Sequence, residues 1–110
     1  MTRTLSLSAV CGDSQVFRQD GAKLRDAIEN AWSQVELVDV DFEGKRIAST
    51  SFLDEGLALL FTTHPVEEVR RRLTLSNMTE RDRQLLNVVI RQRLQQPDLG
   101  DAFPRPELSA

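Results

Sequence analysis

The sequence predicts an α/β domain in which helices pack on a small mixed or parallel sheet of about four strands. Segments with period-two alternation, typical of half-buried strands, take turns with segments whose apolar residues recur every three or four positions, typical of amphipathic helices. The predicted order is strand, helix, strand, apolar helix, short helix, strand, helix. Helices that alternate with strands favour crossover connections within one sheet.

Three segments carry the strand pattern, and the last of them is predicted as the third or fourth strand of the sheet. Residues 4–10 alternate leucine and alanine with hydroxyl side chains, and residues 73–76 alternate leucine with threonine and serine. Residues 35–42 are rich in valine, which suits a central strand covered on at least one face. In that strand we expect one face to carry Val38, Val40 and Phe42, and the other to carry Leu37, Asp39 and Asp41.

Two amphipathic helices frame the domain. The first is predicted to open at Asp20-Gly21 with Asp20 as its N-cap, and its buried stripe comprises Leu24, Ala27, Ile28, Ala31 and Trp32. The last covers residues 79–96, with Asn77 or Thr79 as its cap. Its buried stripe comprises Leu85, Leu86, Val89, Ile90 and Leu94.

The helix predicted for residues 51–62 is apolar nearly all round, which indicates heavy burial. Gly56 lies inside it and costs up to about 1 kcal/mol relative to alanine. Close packing against a neighbouring element is the reason we expect for this glycine. His64-Pro65 ends the segment, and Pro65 is expected to start a further turn or a short helix.

Length and composition restrict the class of protein. A chain of 110 residues with 40% apolar content predicts one domain, residues 1–96, followed by a flexible tail at 97–110 that contains three prolines. The net charge of −3 disfavours nucleic-acid binding. The single Cys11 rules out an internal disulfide, and no run approaches the roughly 18 apolar residues of a membrane span. We expect a cytoplasmic protein.

The most informative segment is the junction before the apolar helix, where Ser49, Thr50 and Ser51 follow one another. Ser51 and Asp54 have the spacing of a capping box, so a hydroxyl is expected beside the positive end of a helix. Acidic neighbours surround it, namely Asp41, Glu43, Asp54 and Glu55. This pattern favours a regulated surface. No base stands near these hydroxyls in the sequence, so we expect no catalytic residues, no enzyme activity and no cofactor.

Three other patterns have a structural interpretation that we prefer. Asp39, Asp41 and Glu43 with Asp54 offer the oxygen ligands of a Mg²⁺ site, but a solvated strand end explains them, and we expect no metal. Cys11 and His64 are too isolated for a nucleophile–base pair. The basic cluster has acidic residues interleaved with it and no aromatic residue for base stacking; its members are Arg70, Arg71, Arg72, Arg81 and Arg83.

Roughly residues 15–95 resemble the STAS-like domain of unknown function, a bacterial relative of the anti-sigma-factor antagonist (STAS) fold. The resemblance is carried by residues 18–25 (RQDGAKLR), 38–44 (VDVDFEG), 49–55 (STSFLDE) and 73–77 (LTLSN). The piece with serine, phenylalanine and the Asp54-Glu55 pair is its most specific part. The resemblance implies a STAS-like fold and a regulatory, partner-binding role.

In anti-sigma-factor antagonists, an Asp-Ser-Ser-Gly element follows the strand, and a histidine-kinase-like ATPase phosphorylates its second serine. The resemblance places Asp41 on the strand aspartate and Ser51 on that serine. Ser49 stands where the motif has aspartate, and Phe52 where it has glycine. It implies Ser51 as the phosphorylation candidate, with Thr50 and Ser49 as alternatives, and a partner-binding surface made of Glu43, Gly44, Phe52, Asp54 and Glu55.

Two functions from different classes follow. One is a non-catalytic regulatory module that switches protein partners, with a histidine-kinase-like ATPase as candidate partner and modification of Ser51 changing affinity by like-charge repulsion. The other is a constitutive structural subunit of a larger complex, without phosphorylation. The oligomeric state and the identity of the partner do not follow from the sequence.

Overall fold

A three-stranded parallel sheet organises the computed structural model, which describes residues 1–11, 17–44, 50–97, 99–100 and 103. Strand β1 (Thr2–Ser6) pairs with β2 (Leu37–Asp41), and β2 pairs with β3 (Leu73–Ser76). The sheet is therefore parallel rather than mixed. The prediction of about four strands is not confirmed, because the described residues form three.

Six α-helices accompany the sheet within these described ranges. They are α1 (Leu7–Cys11), α2 (Arg18–Trp32), α3 (Thr50–Leu53), α4 (Leu60–Thr63), α5 (Val66–Arg72) and α6 (Glu80–Leu94). A π-helical turn (Asp54–Ala58) follows α3. Among the described residues, none of the helices combines the length and the apolar character needed to cross a bilayer.

The core lies on one face of the sheet. With strand order β1-β2-β3, right-handed crossovers place both connections on the same side. The side chains on that side are buried, namely Val38, Val40, Leu73 and Leu75. The opposite face is polar, and the Asp39 carboxylate there accepts hydrogen bonds from the hydroxyls of Thr74 (2.7 Å) and Ser76 (2.9 Å). The alternation predicted for the central strand is confirmed.

The predicted strand at residues 4–10 is wrong beyond Ser6. The chain turns into α1 at Leu7, and the Ser6 hydroxyl accepts a hydrogen bond from the Ala9 backbone N–H at 3.4 Å. A serine in this position acts as a helix N-cap. The serines of this segment alternate with apolar residues as in a strand, but Ser6 caps the start of a helix.

The first long helix begins earlier than predicted. Phe17 is its N-cap, so Asp20 is not the cap and lies at the third helical position. Its carboxylate Oδ2 accepts a hydrogen bond from the Phe17 backbone N–H at 2.9 Å, which is the acidic half of a capping box. The predicted stripe is confirmed for Leu24, Ile28, Ala31 and Trp32, all buried, whereas Ala27 is half-buried.

The apolar segment is one helical run with an irregular middle. It begins at Thr50 rather than Ser51, and the Leu59 N–H donates to the Asp54 carbonyl at 3.0 Å, five residues back. This wider turn breaks the single helix predicted for residues 51–62. The predicted burial is confirmed, since the inward-facing side chains of Phe52, Leu53, Leu57 and Leu60 are fully buried.

Gly56 fulfils the expectation of close packing. It lies against Gly21 of α2, and a Cβ on Gly56 would meet the Cα and O atoms of Gly21 at 3.2 Å. A Cβ on Gly21 would lie 2.8 Å from the Phe52 carbonyl oxygen. Two glycines therefore allow α2 to touch the backbone of the α3 segment directly.

The last helix lies within its predicted range, and the chain after it contacts the domain. Of its predicted stripe, Leu86, Val89 and Ile90 are buried, whereas Leu85 and Leu94 are half-buried. Thr79 is the N-cap, and its hydroxyl accepts from the Asp82 N–H at 3.1 Å. Beyond α6, the Leu99 carbonyl accepts from Arg91 at 2.7 Å. Phe103 is 5% exposed and packs edge-on against Phe61. The flexible tail and the domain boundary at residue 97 stay predictions.

Candidate partner-binding site

A groove of about 610 Å³ lies between the start of α3 and one side of α6. The first turns of α2 and α3 and the π-helical turn contribute only polar residues, whereas α6 contributes the apolar residues together with Gln92 and Arg93. The residues that line it are Arg18, Thr50, Ser51, Asp54, Leu85, Val88, Val89, Gln92, Arg93 and Gln95. We name this feature the α3–α6 groove.

Two of the three predicted phosphorylation candidates line this groove. Thr50 is exposed and Ser51 is half-buried. Ser49 lies outside the described residues. Ser51 is inside α3 and not in front of it, so it is not the N-cap that the sequence predicts. Thr50 and Ser51 nevertheless line a concave surface.

Asp54 faces α6 instead of capping its own helix. Its carboxylate is bound at both oxygens by the Arg93 guanidinium, with the Nε–Oδ1 contact at 2.9 Å. This hydrogen-bonded partner raises the pKa of Arg93 above its ordinary value. The pair joins the π-helical turn to α6 at the groove.

Glu55 is shared by two arginines of α2. Its Oε1 accepts from Arg18 at 2.8 Å, and its Oε2 accepts from Arg25 at 2.8 Å. Arg25 also donates to the Glu55 carbonyl oxygen. The Arg25 hydrogen bond is the main cause that lowers the pKa of Glu55, with Arg18 adding to it and burial opposing it.

This arrangement predicts an acid-sensitive contribution to stability. Because the pKa of Glu55 is lower in the folded than in the unfolded chain, Glu55 stabilises the fold at pH values above its ordinary pKa of about 4.5. That stabilisation is lost as the pH falls through the lower, folded pKa. We expect Glu55→Gln to cost about 1–2 kcal/mol at pH 7 and to make the loss of stability below about pH 5 shallower. Urea unfolding at stepped pH measures both.

Glu36→Gln is the control for this experiment, because the Glu36 side chain is 93% exposed and such an exposed ion pair, here with the N-terminal ammonium group at 3.8 Å, contributes little to stability. It should keep the wild-type dependence of the unfolding free energy on pH. If the free energy of unfolding depends on pH in the same way for Glu55→Gln and wild type, the stabilisation of the Glu55 carboxylate by Arg18 and Arg25 is contradicted.

The predicted partner-binding residues separate into different places. Phe52 is fully buried in the core and leaves the set, because a partner cannot reach it. Glu43 and Gly44 are exposed but lie beside α1, where the Ser8 hydroxyl donates to the Glu43 carbonyl at 3.5 Å. They do not line the α3–α6 groove. Asp54 does line it, and Glu55 holds Arg18 at its rim.

The acidic strand residues serve the sheet. Asp41 accepts from the Asn77 side-chain amide at 2.8 Å and from the Glu43 N–H at 3.0 Å, and the amide is the larger cause that lowers the pKa of Asp41. Asp39 binds hydroxyls of β3. The described part of the chain contains no group of three or more acidic, histidine or cysteine side chains that could hold a metal ion.

Cys11 and His64 have separate neighbours. The buried Cys11 thiol lies 3.7 Å from the Asp20 carbonyl oxygen, and His64 Nε2 lies 2.6 Å from a carboxylate oxygen of Glu29. His64 also packs against Trp32 with the ring centroids 5.0 Å apart.

Two arginines of the basic cluster act inside the fold. Arg72 lies over the Trp32 ring and donates to the Val35 carbonyl at 2.9 Å, near the end of α2. Arg83 is buried and donates to the Phe103 carbonyl. Arg70 pairs with Glu67 at 3.5 Å on the surface.

Sequence reasoning missed the residues that give the groove its character. From the sequence alone, Arg93 only complements the C-terminal pole of its own helix, and Arg18 enters only through the resemblance. Val88 is 43% exposed, one of three exposed large apolar side chains in the described ranges, with Met1 and Phe17. Val88 could have been found from the sequence, because it is an apolar residue of α6 that lies outside the predicted buried stripe.

Comparison with known proteins agrees with this architecture. The family model described as the STAS-like domain of unknown function (DUF4325) matches residues 20–83. That segment runs from the first turn of α2 to the first turn of α6 and contains Thr50, Ser51, Asp54 and Glu55, whereas Arg18, Val88 and Arg93 lie outside it. No curated protein and no solved structure gives a significant match. More than half of the chain fits one family model, and the chain therefore belongs to the family of STAS-like domains of unknown function.

Proposed function

We propose that this protein is a non-catalytic regulatory module that binds a protein partner at the α3–α6 groove. In this proposal, phosphorylation of Ser51 by a histidine-kinase-like ATPase switches the partner. One observation carries it: the hydroxyl residues Thr50 and Ser51 share a single groove with the exposed apolar side chain of Val88.

The groove has the composition of a protein-binding surface. Val88 and Leu85 provide an apolar centre one helical turn apart, and Arg18 and Arg93 provide a charged rim. Interfaces typically combine an apolar core with a polar rim, and arginine is enriched in them. A partner that places an apolar side chain over Val88 would bury it and exclude water from the ion pairs beside it.

Phosphorylation at this position changes the charge of the groove. Arg18, Arg25 and Arg93 face Asp54 and Glu55, so three cations stand against two anions. A phosphate adds about two negative charges and reverses that balance. In the reaction, the Ser51 oxygen bonds to the γ-phosphorus of ATP, the bond to the β-phosphate breaks, ADP leaves and the hydroxyl proton goes to solvent.

The first experiment incubates the protein with ATP and a purified histidine-kinase-like ATPase, then maps phosphate by mass spectrometry. We expect one phosphate on Ser51, with Thr50 and Ser49 as neighbouring acceptors. Ser51→Ala should remove most of the signal, and Ser33→Ala, an exposed serine on another helix end, should not. A domain that stays unmodified under conditions in which the ATPase hydrolyses ATP would contradict the phosphorylation step.

The second experiment measures binding of the same ATPase by titration calorimetry. Val88→Asp should weaken binding at least tenfold, because it puts a charge at the apolar centre of the interface, a loss of about 1.4 kcal/mol or more. Asn30→Asp, an exposed position on α2, is the charge-matched control. Equal affinities for Val88→Asp and wild type would contradict the docking surface. If Ser51→Glu leaves affinity unchanged while Val88→Asp weakens it, the groove serves a constitutive subunit instead.

A further inference from the structure

Two arginines from different helices are held over the turn that follows Ser51. Arg18 comes from the first turn of α2 and Arg93 from the last turn of α6. Both line the α3–α6 groove together with Ser51 and Thr50. Their present partners are Glu55 and Asp54 respectively.

The spacing along the chain places Ser51 within reach of both guanidinium groups. Asp54 is three residues after Ser51 and Glu55 is four residues after it, and residues with these spacings are neighbours on a helix face, with Cβ atoms about 5–6 Å apart. Because Arg93 binds Asp54 and Arg18 binds Glu55, the guanidinium group of each arginine lies about one helical turn from Ser51. A phosphoryl group on Ser51 would extend from the helix toward them.

Arg18 can leave its carboxylate partner more easily than Arg93 can. Glu55 is bound by Arg25 as well as Arg18, and the Arg25 side chain is 25% exposed whereas that of Arg18 is 56% exposed. If Arg18 turned away, Glu55 would keep its more buried partner. Arg93 binds Asp54 through two nitrogens, and its remaining N–H groups are directed elsewhere.

We infer that a phosphoryl group on Ser51 is bound within the same chain by Arg18 and Arg93. Arg18 exchanges Glu55 for the phosphate, and Arg93 bridges the phosphate and Asp54. The like-charge repulsion expected from the sequence is thereby neutralised, because each nearby carboxylate retains an arginine. The inference depends on the proposed function only for the source of the phosphate.

This capture gives the modification a defined structural result. The bound phosphate does not project into the groove as a mobile dianion but closes the polar side of the groove. It also draws the Arg18 guanidinium away from the rim. A partner that binds the unmodified groove through Arg18 loses that contact. Charge-assisted hydrogen bonds from arginine to phosphate are among the strongest that proteins make.

The test uses the full chain with phosphoserine introduced at position 51 by genetic encoding, so that no kinase is needed. A ³¹P NMR titration measures the second pKa of the phosphate, ordinarily about 6. We expect a value lower by about 0.5 pH unit or more, because nearby cations favour the dianion. Arg18→Gln and Arg93→Gln should each reverse part of this change, and the double variant should return the value measured in urea.

Arg81→Gln is the matched control, because Arg81 is an exposed arginine on α6 outside the groove. It should leave the titration unchanged. A phosphate that titrates near its ordinary value in the native protein, or identically in native protein and double variant, would overturn the inference. The kinase experiment can fail while this one succeeds, and the reverse, so the two ideas are tested separately.

Discussion

Replacing Gly21 with alanine is expected to lower the free energy of unfolding by about 2–3 kcal/mol. The new Cβ would lie 2.8 Å from the Phe52 carbonyl oxygen and 3.0 Å from the Gly56 nitrogen. Both atoms belong to the backbone, so no side chain can rotate away, and α2 must move off the α3 segment. Urea unfolding followed by circular dichroism measures the change.

The sign of this effect makes the experiment informative. Within a helix, alanine is ordinarily more favourable than glycine by about 1 kcal/mol. Alanine is also a better helix former than asparagine, so Asn30→Ala, at an exposed position of the same helix, should be neutral or stabilising. Gly56→Ala should cost less than Gly21→Ala, because its closest contacts lie at 3.2 Å. A Gly21→Ala variant as stable as wild type would show that the two helices do not touch through these glycines.

Replacing Phe103 with alanine is expected to lower the free energy of unfolding by about 3 kcal/mol. The ring is 5% exposed and packs edge-on against Phe61 with the centroids 5.8 Å apart. The Phe103 carbonyl also accepts a hydrogen bond from the buried Arg83 guanidinium, whose Nε has no hydrogen-bond partner among the described residues. Loosening this segment exposes apolar surface and leaves a buried cation poorly solvated.

Phe17 offers a matched control, because it is 46% exposed and its removal creates no cavity. Phe17→Ala should change stability by no more than about 0.5 kcal/mol. Phe103→Leu should recover part of the loss, since it restores apolar volume without the ring. If Phe103→Ala resembles Phe17→Ala, the segment after α6 is dispensable, as the composition of residues 97–110 predicts.

Local patterns were sufficient to predict much of the fold. The alternation of Val38 and Val40 identified the face of β2 that is buried, and Thr79 was among the predicted caps of α6. Gly56 was recognised as a contact point because a glycine inside a helix needs a compensating reason. Each of these inferences depends on neighbours within one or two turns of the chain.

The remaining features depend on contacts between residues far apart in sequence. Nothing near Asp54 in the sequence indicates that it pairs with Arg93, 39 residues later, instead of capping its own helix. The π-helical turn is likewise invisible to a 3.6-residue period. At the chain start, Ser6 satisfied a strand pattern although its hydroxyl caps α1. The groove could not be predicted because three separate helices build it.

The sheet with helices on one side has a consequence for local opening. Strand β2 is bonded along both edges, whereas β1 is bonded along one, and of its residues only Leu5 is half-buried. Amide protons of β1 should therefore exchange with deuterium through fraying, while those of Val38 and Val40 exchange only when the whole domain unfolds. Amide exchange of β2 therefore reports the global stability of the domain, and amide exchange of β1 reports local opening at the edge of the sheet.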